Sequence, residues 1–181
     1  MDKPENLGRL ADPHREMALW ALPEPLSRAA FAEGLPTGPF ICLLVWDSEG
    51  ESVDSIAAVT DTLLRAGCVY ANAWGPGCSR VHDIFDEELV MMCLDGDMPD
   101  DDEHLVMTVW HEKESLKDAL FYLFCCSTPA EAYEGSCGTS LVVTIDAATS
   151  DVSLIRSALG DPATFLDDLF DEERGSEGEP Q

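Results

Sequence analysis

The chain is short of basic residues. Lysine and arginine together number 10, against 36 aspartates and glutamates, which gives a formal net charge of −26 at pH 7. A surface with this excess of negative charge repels phosphate backbones, so the composition disfavours DNA or RNA binding. It favours a basic protein partner or divalent cations, although an acidic surface also serves simply to keep a protein in solution.

The sequence also lacks the marks of membrane insertion and secretion. No apolar run reaches the roughly 18 to 20 residues that a membrane-spanning helix needs. The first residues lack the basic and then apolar pattern of a signal peptide. The seven cysteines are odd in number, and most fall in predicted strands and helices, where a free cysteine behaves as a small apolar residue. We therefore predict a cytoplasmic protein with reduced thiols and no membrane contact.

Enzyme signatures are absent as well. The phosphate-binding patterns GxxxxGK[ST] and GxGxxG do not occur, and neither do the hydrolase and zinc-protease patterns GxSxG and HExxH. The two adjacent cysteines, 125 and 126, do not form a redox CxxC motif. The sequence therefore gives no sign of the enzyme classes that these signatures mark.

The distribution of proline and charge divides the chain into three parts. Residues 1–39 are predicted to form an N-terminal arm with a short helix around Pro25–Glu33, and residues 40–170 a single α/β domain. Residues 171–181 are predicted to be an acidic, disordered tail. A second concentration of acid lies inside the domain, where residues 83–103 contain ten acids and no base.

Strand-like and helix-like segments alternate four times within the predicted domain. Apolar runs predict buried strands at 40–46, 68–74, 105–110 and 140–145, with helically spaced apolar residues between them. This alternation predicts a three-layer α/β sandwich with a central, mostly parallel sheet of about four strands and helices on both faces. We expect these four strands in the order 2-1-3-4, with a switch point between the first and third.

Three of the four tryptophans end three predicted strands: Trp46, Trp74 and Trp110. Because ligands bind outside the carboxyl ends of parallel strands, the rings are candidates for a recognition pocket, although a tryptophan also commonly plugs the end of a core. Five side chains are expected around one crevice: Asp47, Trp74, Cys78, His82 and His111. The other predicted binding residues are Glu112, from the Trp-His-Glu tripeptide, and the acidic-loop residues Asp100, Asp101 and Asp102.

The segment WGPGCSRVHD, residues 74–83, carries the most specific local pattern. Its glycines allow a tight turn into a helix, so Cys78 is expected in the first turn as a thiolate, with His82 one turn later. Cys78 is then a candidate nucleophile with His82 as its base. Alternatively, Cys78, His82 and His111 bind a divalent metal, with Asp47 or Glu112 completing the shell. The plainer alternative is that Cys78 only packs and His82 joins buried polar contacts.

With its WGPGC…VHD and WHE motifs, the stretch from residue 40 to 146 resembles an uncharacterised bacterial domain family. The resemblance implies one compact module and no particular activity.

The charge and the missing signatures favour an acidic cytosolic protein-binding module that docks a basic partner, such as an immunity protein, an antitoxin or an accessory subunit. The alternative is a small thiol- or metal-dependent enzyme that acts at the carboxyl edge of the sheet. An activated Cys78 would be alkylated before the other six cysteines, which are expected to be buried.

Overall fold

The computed structural model of the chain describes residues 3–11, 14–24 and 27–176, except for the side chains of residues 172, 173, 175 and 176. Within these ranges the strands are β1 (Glu5–Leu10), β2 (Arg15–Leu22), β3 (Phe40–Trp46), β4 (Cys68–Trp74), β5 (Met107–His111) and β6 (Thr139–Ile145). The helices are α1 (Arg28–Ala32), α2 (Val53–Arg65), α3 (Cys78–Asp95), α4 (Leu116–Cys125), α5 (Glu131–Glu134), α6 (Thr149–Gly160) and α7 (Pro162–Ser176), with a 3₁₀ turn at Asp102–His104. None of the described helices is long and apolar enough to cross a membrane.

The six strands form one mixed sheet in the order β1-β2-β6-β3-β4-β5. Only the β1–β2 pair is antiparallel, and the other four pairings are parallel. The α/β class is thus confirmed, but the sheet has six strands where about four were expected. The two additional strands lie in the predicted N-terminal arm, where β2 pairs with β6 along residues 16–22 and buries most of its side chains.

The predicted strand order 2-1-3-4 is wrong. The four strands that the sequence identified stand in the order β6-β3-β4-β5, so the fourth lies beside the first. Helices α2 and α3 both pack on one face of the sheet while the chain moves from β3 to β5. The chain then returns through α4 on the other face and reaches β6 on the far side of β3. A right-handed connection places its helix on one face when the chain moves toward β5 and on the other face when the chain moves back. This rule explains why α4 lies opposite α2 and α3.

Apolar cores lie on both faces of the sheet, so the layers are helix, sheet and helix. The first core contains α1, α2 and α3 with the side chains of Trp20, Phe40, Leu44 and Trp46. The second contains α4, α6 and α7 with the alternate side chains of the same strands, among them Leu19, Ile41, Leu43 and Val142. Strand β3 is buried at every position because it contributes to both.

Within the described residues, regular structure extends further toward the C-terminus than the sequence predicts. The expected N-terminal helix is present as α1, although Pro25, the start of its predicted range, lies outside the described residues. Helix α7 continues to Ser176, which places the first half of the predicted disordered tail in a helix. Residues 177–181 lie outside the described part of the chain. The division into a single domain with an arm and a tail stays a prediction.

A buried arginine joins the N-terminal strands to the second core. Arg15 is only 2% exposed. Its Nη1 donates a hydrogen bond to the Ser127 carbonyl at 3.1 Å, and its Nη2 to the Leu123 carbonyl at 3.3 Å. These carbonyls belong to the last turn of α4 and the residues after it, where a helix leaves acceptors unpaired and favours a cation. Arg15 therefore fixes the start of β2 to the end of α4.

Replacement of Arg15 by alanine is expected to lower the free energy of unfolding by about 3 kcal/mol, because it leaves buried carbonyls without donors and creates a cavity. Urea denaturation at pH 7 measures the change. The control is Arg9→Ala, which removes an exposed ion pair with Glu16 and should cost less than about 1 kcal/mol. Similar midpoints for the two variants would contradict this role for Arg15.

Candidate functional site

The carboxyl ends of β3, β4, β5 and β6 lie level with one another. Trp46 pairs with Ile145 across β3 and β6, and Trp74 pairs with His111 across β4 and β5. The polar residues that follow these strands therefore share one edge of the sheet. The edge nevertheless has two separate parts, because the side chains point to different faces and pack against different helices.

The first part is a crevice where β3, β4 and β6 end. A cavity of about 240 Å³ is lined there by Val45, Trp46, Asp47, Trp74, Gly75, Pro76, Asp146, Ala147, Ala148 and Asp151. Asp47 and Trp74 were predicted at this edge, whereas Asp146 and Asp151 were not. The expected strand order placed the fourth strand away from the first. The signal that could have identified Asp146 is its position directly after a buried apolar strand.

Two tryptophans form the wall of this crevice rather than an open recognition surface. Trp46 is 3% exposed and belongs to the first core, in agreement with the alternative that it plugs the end of the core. Trp74 is partly buried, and its indole Nε1 donates a hydrogen bond to the Glu114 carbonyl at 3.0 Å. Gly75 has φ of 114°, and a Cβ there would lie 2.6 Å from the Trp46 carbonyl oxygen. The glycine lets the ends of β3 and β4 approach closely.

Cys78 lies in the first turn of α3, as predicted, but it is only 1% exposed. Burial raises the pKa of the Cys78 thiol, and a hydrogen bond from the His111 main chain opposes this increase only in part. The carboxylate of Glu112 raises the pKa further. The expected stabilisation of the thiolate by the helix end is therefore outweighed by desolvation.

His82 interacts with carboxylates and with a tryptophan. Its Nδ1 lies 3.3 Å from Asp83 Oδ1, and its Nε2 lies 3.6 Å from Asp86 Oδ2. The imidazole also packs on the ring of Trp110, with 4.3 Å between ring centroids. Both ring nitrogens thus face acids on α3, so the ring is oriented toward them and not toward Cys78 as its base.

His111 lies on the other face of β5, apart from His82. It is 4% exposed, and its ring packs against Tyr122 of α4 at 5.0 Å between centroids. The Tyr122 hydroxyl is 3.1 Å from that of Tyr70. Within the described part of the chain, His111 Nε2 is buried without a hydrogen-bond partner. Burial lowers the pKa of this imidazole, although Glu114 and Asp118 act in the opposite direction.

The predicted metal ligands are therefore separated by the sheet. Cys78 and His82 belong to the α3 face, whereas His111 packs against α4. Among the described residues, no group of three or more His, Cys, Asp or Glu side chains is placed to hold a metal ion.

The second part of the edge continues into an exposed surface on α3 and β5. Five exposed residues at helical spacing form a stripe along α3: Asp83, Glu87, Val90, Met91 and Leu94. Beside it, Trp110 is 45% exposed, and Leu105 lies next to Leu89 and Cys93 at a small cavity of about 90 Å³. We call the five stripe residues together with Leu105 and Trp110 the α3–β5 surface. Of the three strand-ending tryptophans, Trp110 is the most exposed.

The acidic loop before β5 borders this surface. Asp100 and Asp102 are exposed, as is Glu112 after the strand. Asp101 has a structural role, because its Oδ1 accepts hydrogen bonds from the main-chain amides of Glu103 and His104. Its carboxylate also lies 2.8 Å from His104 Nδ1, and this contact lowers the pKa of Asp101.

A family model described as Domain of unknown function (DUF7684) matches residues 24–162, from the segment before α1 to the start of α7. The chain belongs to this family. The expectation of an uncharacterised family is thereby confirmed, while its bacterial origin and its motifs stay predictions. No curated protein matches the chain.

The burial of the cysteines changes the expected order of alkylation. Cys125 and Cys126 are exposed, whereas Cys78 is buried. Brief exposure to iodoacetamide at neutral pH should therefore label Cys125 and Cys126 first, because a reagent needs access as well as a thiolate. Mass spectrometry of proteolytic peptides gives the order, and labelling in denaturant shows that all seven thiols react. Earlier labelling of Cys78 would revive the activated-thiol hypothesis.

His111 should make stability depend on pH. Its pKa is lower in the folded protein than the ordinary value of 6.5, so below about pH 6.5 the unfolded chain takes up a proton that the folded chain does not. Between pH 7.5 and 5.5 the wild type should therefore lose about 1 kcal/mol more stability than His111→Gln. Urea denaturation at the two pH values tests this, with His14→Gln as the exposed control. Equal losses in wild type and His111→Gln would contradict it.

Proposed function

We propose that this member of a family of unknown function is an acidic protein-binding module that docks a basic partner through the α3–β5 surface. An immunity protein, an antitoxin or an accessory subunit works in this way. A cytoplasmic location, a protein rather than a nucleic-acid partner, and no membrane contact are parts of the same proposal. The argument rests on what this surface exposes and on the charge that surrounds it.

The observation that carries the proposal is the concentration of exposed apolar side chains. The large hydrophobic residues that are clearly exposed in the described chain are Val53, Val90, Met91, Leu94, Leu105, Met107, Trp110 and Phe170. Five of these eight, Val90, Met91, Leu94, Leu105 and Trp110, belong to the α3–β5 surface. Leu94 is 75% exposed, which is costly for an isolated protein in water. Grouped apolar residues with a polar border are typical of protein interfaces, where Trp and Met are enriched.

The segment that contains this surface is rich in acids. Residues 83–112 contain eleven acids and neither lysine nor arginine. Complementary charge accelerates the encounter of two proteins and selects the partner, whereas desolvated apolar and aromatic contacts supply most of the affinity. A partner with basic residues around an apolar or aromatic centre would match both the exposed apolar side chains and the acids near them.

The alternative of a thiol- or metal-dependent enzyme has less support. Burial raises the pKa of the Cys78 thiol, and both nitrogens of His82 face carboxylates. The candidate ligands Cys78 and His111 pack on different faces of the sheet, Cys78 in the first core and His111 against Tyr122 of α4. No specific observation at the carboxyl edge therefore favours catalysis over binding.

Charge variants test the docking proposal. The triple variant Asp83→Asn, Glu87→Gln, Asp102→Asn should slow association with the basic protein that co-purifies from the native host by about tenfold, with little change in dissociation. The control, Glu33→Gln, Asp167→Asn, Asp168→Asn, removes three charges of the same types from exposed positions, one directly after α1 and two on α7. It should change association by less than about twofold.

Association rates are measured by surface plasmon resonance at low and at physiological salt, and the difference between the two variants should shrink as salt rises. Asp101 stays unchanged because it caps the 3₁₀ turn. Equal association rates for the two triple variants, or the lack of any stoichiometric basic partner, would contradict the proposal.

A further inference from the structure

Strand β5 is an open edge of the sheet. It is the last strand in the order, and within the described part of the chain it pairs with β4 on one side and with no strand on the other. Its main packing neighbours are β4 and α3, and four of its five residues are exposed or half-buried. An edge strand presents a row of unpaired main-chain donors and acceptors, which is a template for another extended chain.

The opposite edge, β1, is protected in several ways. Its pairing with β2 shifts between Asn6 and Gly8, which interrupts the regular ladder. Glu5 pairs with Arg156 of α6, and Arg9 pairs with Glu16 of β2. Helices α6 and α7 also pack against β1. Bulges, charges and covering helices are the usual means by which proteins prevent edge-to-edge association.

Strand β5 has a packed helix, α3, but among the described residues it has neither a shifted ladder nor an ion pair. Its sequence, Met-Thr-Val-Trp-His, contains no proline, glycine, lysine or acid, and its pairing with β4 runs from Met107 to His111 without a shift. Val, Thr and Trp are residues that favour extended structure. Met107 and Trp110 are exposed on opposite faces of the strand, so an added strand would find an apolar contact on each face.

We propose that β5 accepts an extended basic segment of a partner protein as a seventh strand of the sheet. This inference rests on the proposed function and specifies its mode of binding. Main-chain hydrogen bonds to β5 would provide affinity, and Met107 and Trp110 would contact apolar side chains on opposite faces of the segment. Basic side chains on either side of these contacts would face the acids at both ends of the strand, Asp100 and Asp102 before it and Glu112 after it.

The charge of the chain decides between this occupant and a second copy of the protein. Two copies joined at β5 would bring together two molecules of net charge −26, each with eleven acids in residues 83–112. Like charges at that distance repel, whereas a basic segment is attracted. A β5-to-β5 dimer is therefore an outcome that the test must detect and not the occupant that we propose.

A designed peptide serves as the probe. Lys-Lys-Val-Val-Val-Lys-Lys is basic at both ends, and its three consecutive valines place apolar side chains on both faces of an extended strand. On binding, it should slow amide hydrogen exchange in the peptides that cover Met107–His111 by about tenfold or more, and leave exchange in Glu5–Leu10 unchanged. Replacement of its central valine by proline removes one main-chain donor and should weaken binding by about tenfold, equivalent to about 1.4 kcal/mol.

A pair of protein variants locates the site. Met107→Lys places a repelling charge on the open edge and should weaken binding of the probe by about tenfold. Asn6→Lys makes the same charge change on the protected edge and should change binding by less than about twofold. Circular dichroism and urea denaturation verify that both variants are folded.

The outcomes separate the two proposals. Equal binding of the valine and proline peptides, or no protection of β5 amides at saturation, would overturn strand addition while the charge variants could still slow docking of the natural partner. A dimer by analytical ultracentrifugation that the probe does not dissociate would overturn the choice of occupant. Equal association rates of the triple charge variants would instead remove the docking surface itself.

Discussion

The burial of β3 on both faces is the constraint on which the rest of the structure depends. Each of its residues is buried, and the strand pairs in parallel with β4 on one side and β6 on the other. A strand in this position requires helices above and below it, and right-handed crossovers then decide which helix lies on which face. This arrangement gives the level carboxyl edge and the crevice beside Trp46. It also places β5 at the edge of the sheet.

The fold was predictable where the sequence pattern is local. Continuous apolar runs identified β3, β4 and β6 to within a residue, because strands buried on both faces have this composition. Strand β2 was missed because its segment follows prolines and begins with Arg15 and Glu16, which resemble a solvated arm. The burial of Arg15 depends on carbonyls at the end of α4, more than a hundred residues away. No local pattern contains that information.

The candidate site was predictable as an edge but not as a geometry. Parallel pairing places the ends of the strands level, as predicted. Trp74 ends β4, and Asp47 and Glu112 directly follow β3 and β5. The alternation of side chains along β5 then sends Trp110 toward α3 and His111 toward α4, which separates residues that are adjacent in sequence. The exposure of the side chains was not predictable either. Trp46 and Trp110 have similar sequence contexts, but Trp46 is 3% exposed and Trp110 is 45% exposed.

The contrast between the two edges of the sheet has a consequence for stoichiometry. A sheet with two open edges is bivalent: each strand that it gains exposes a new edge, and copies can polymerise through both sides. Here β1 has a shifted ladder, ion pairs and two packed helices, so under the proposal above only β5 would gain a strand. After a segment has paired with β5, the sheet grows no further unless that segment brings an open edge of its own. A complex formed at this edge is therefore finite, with one bound segment for each chain.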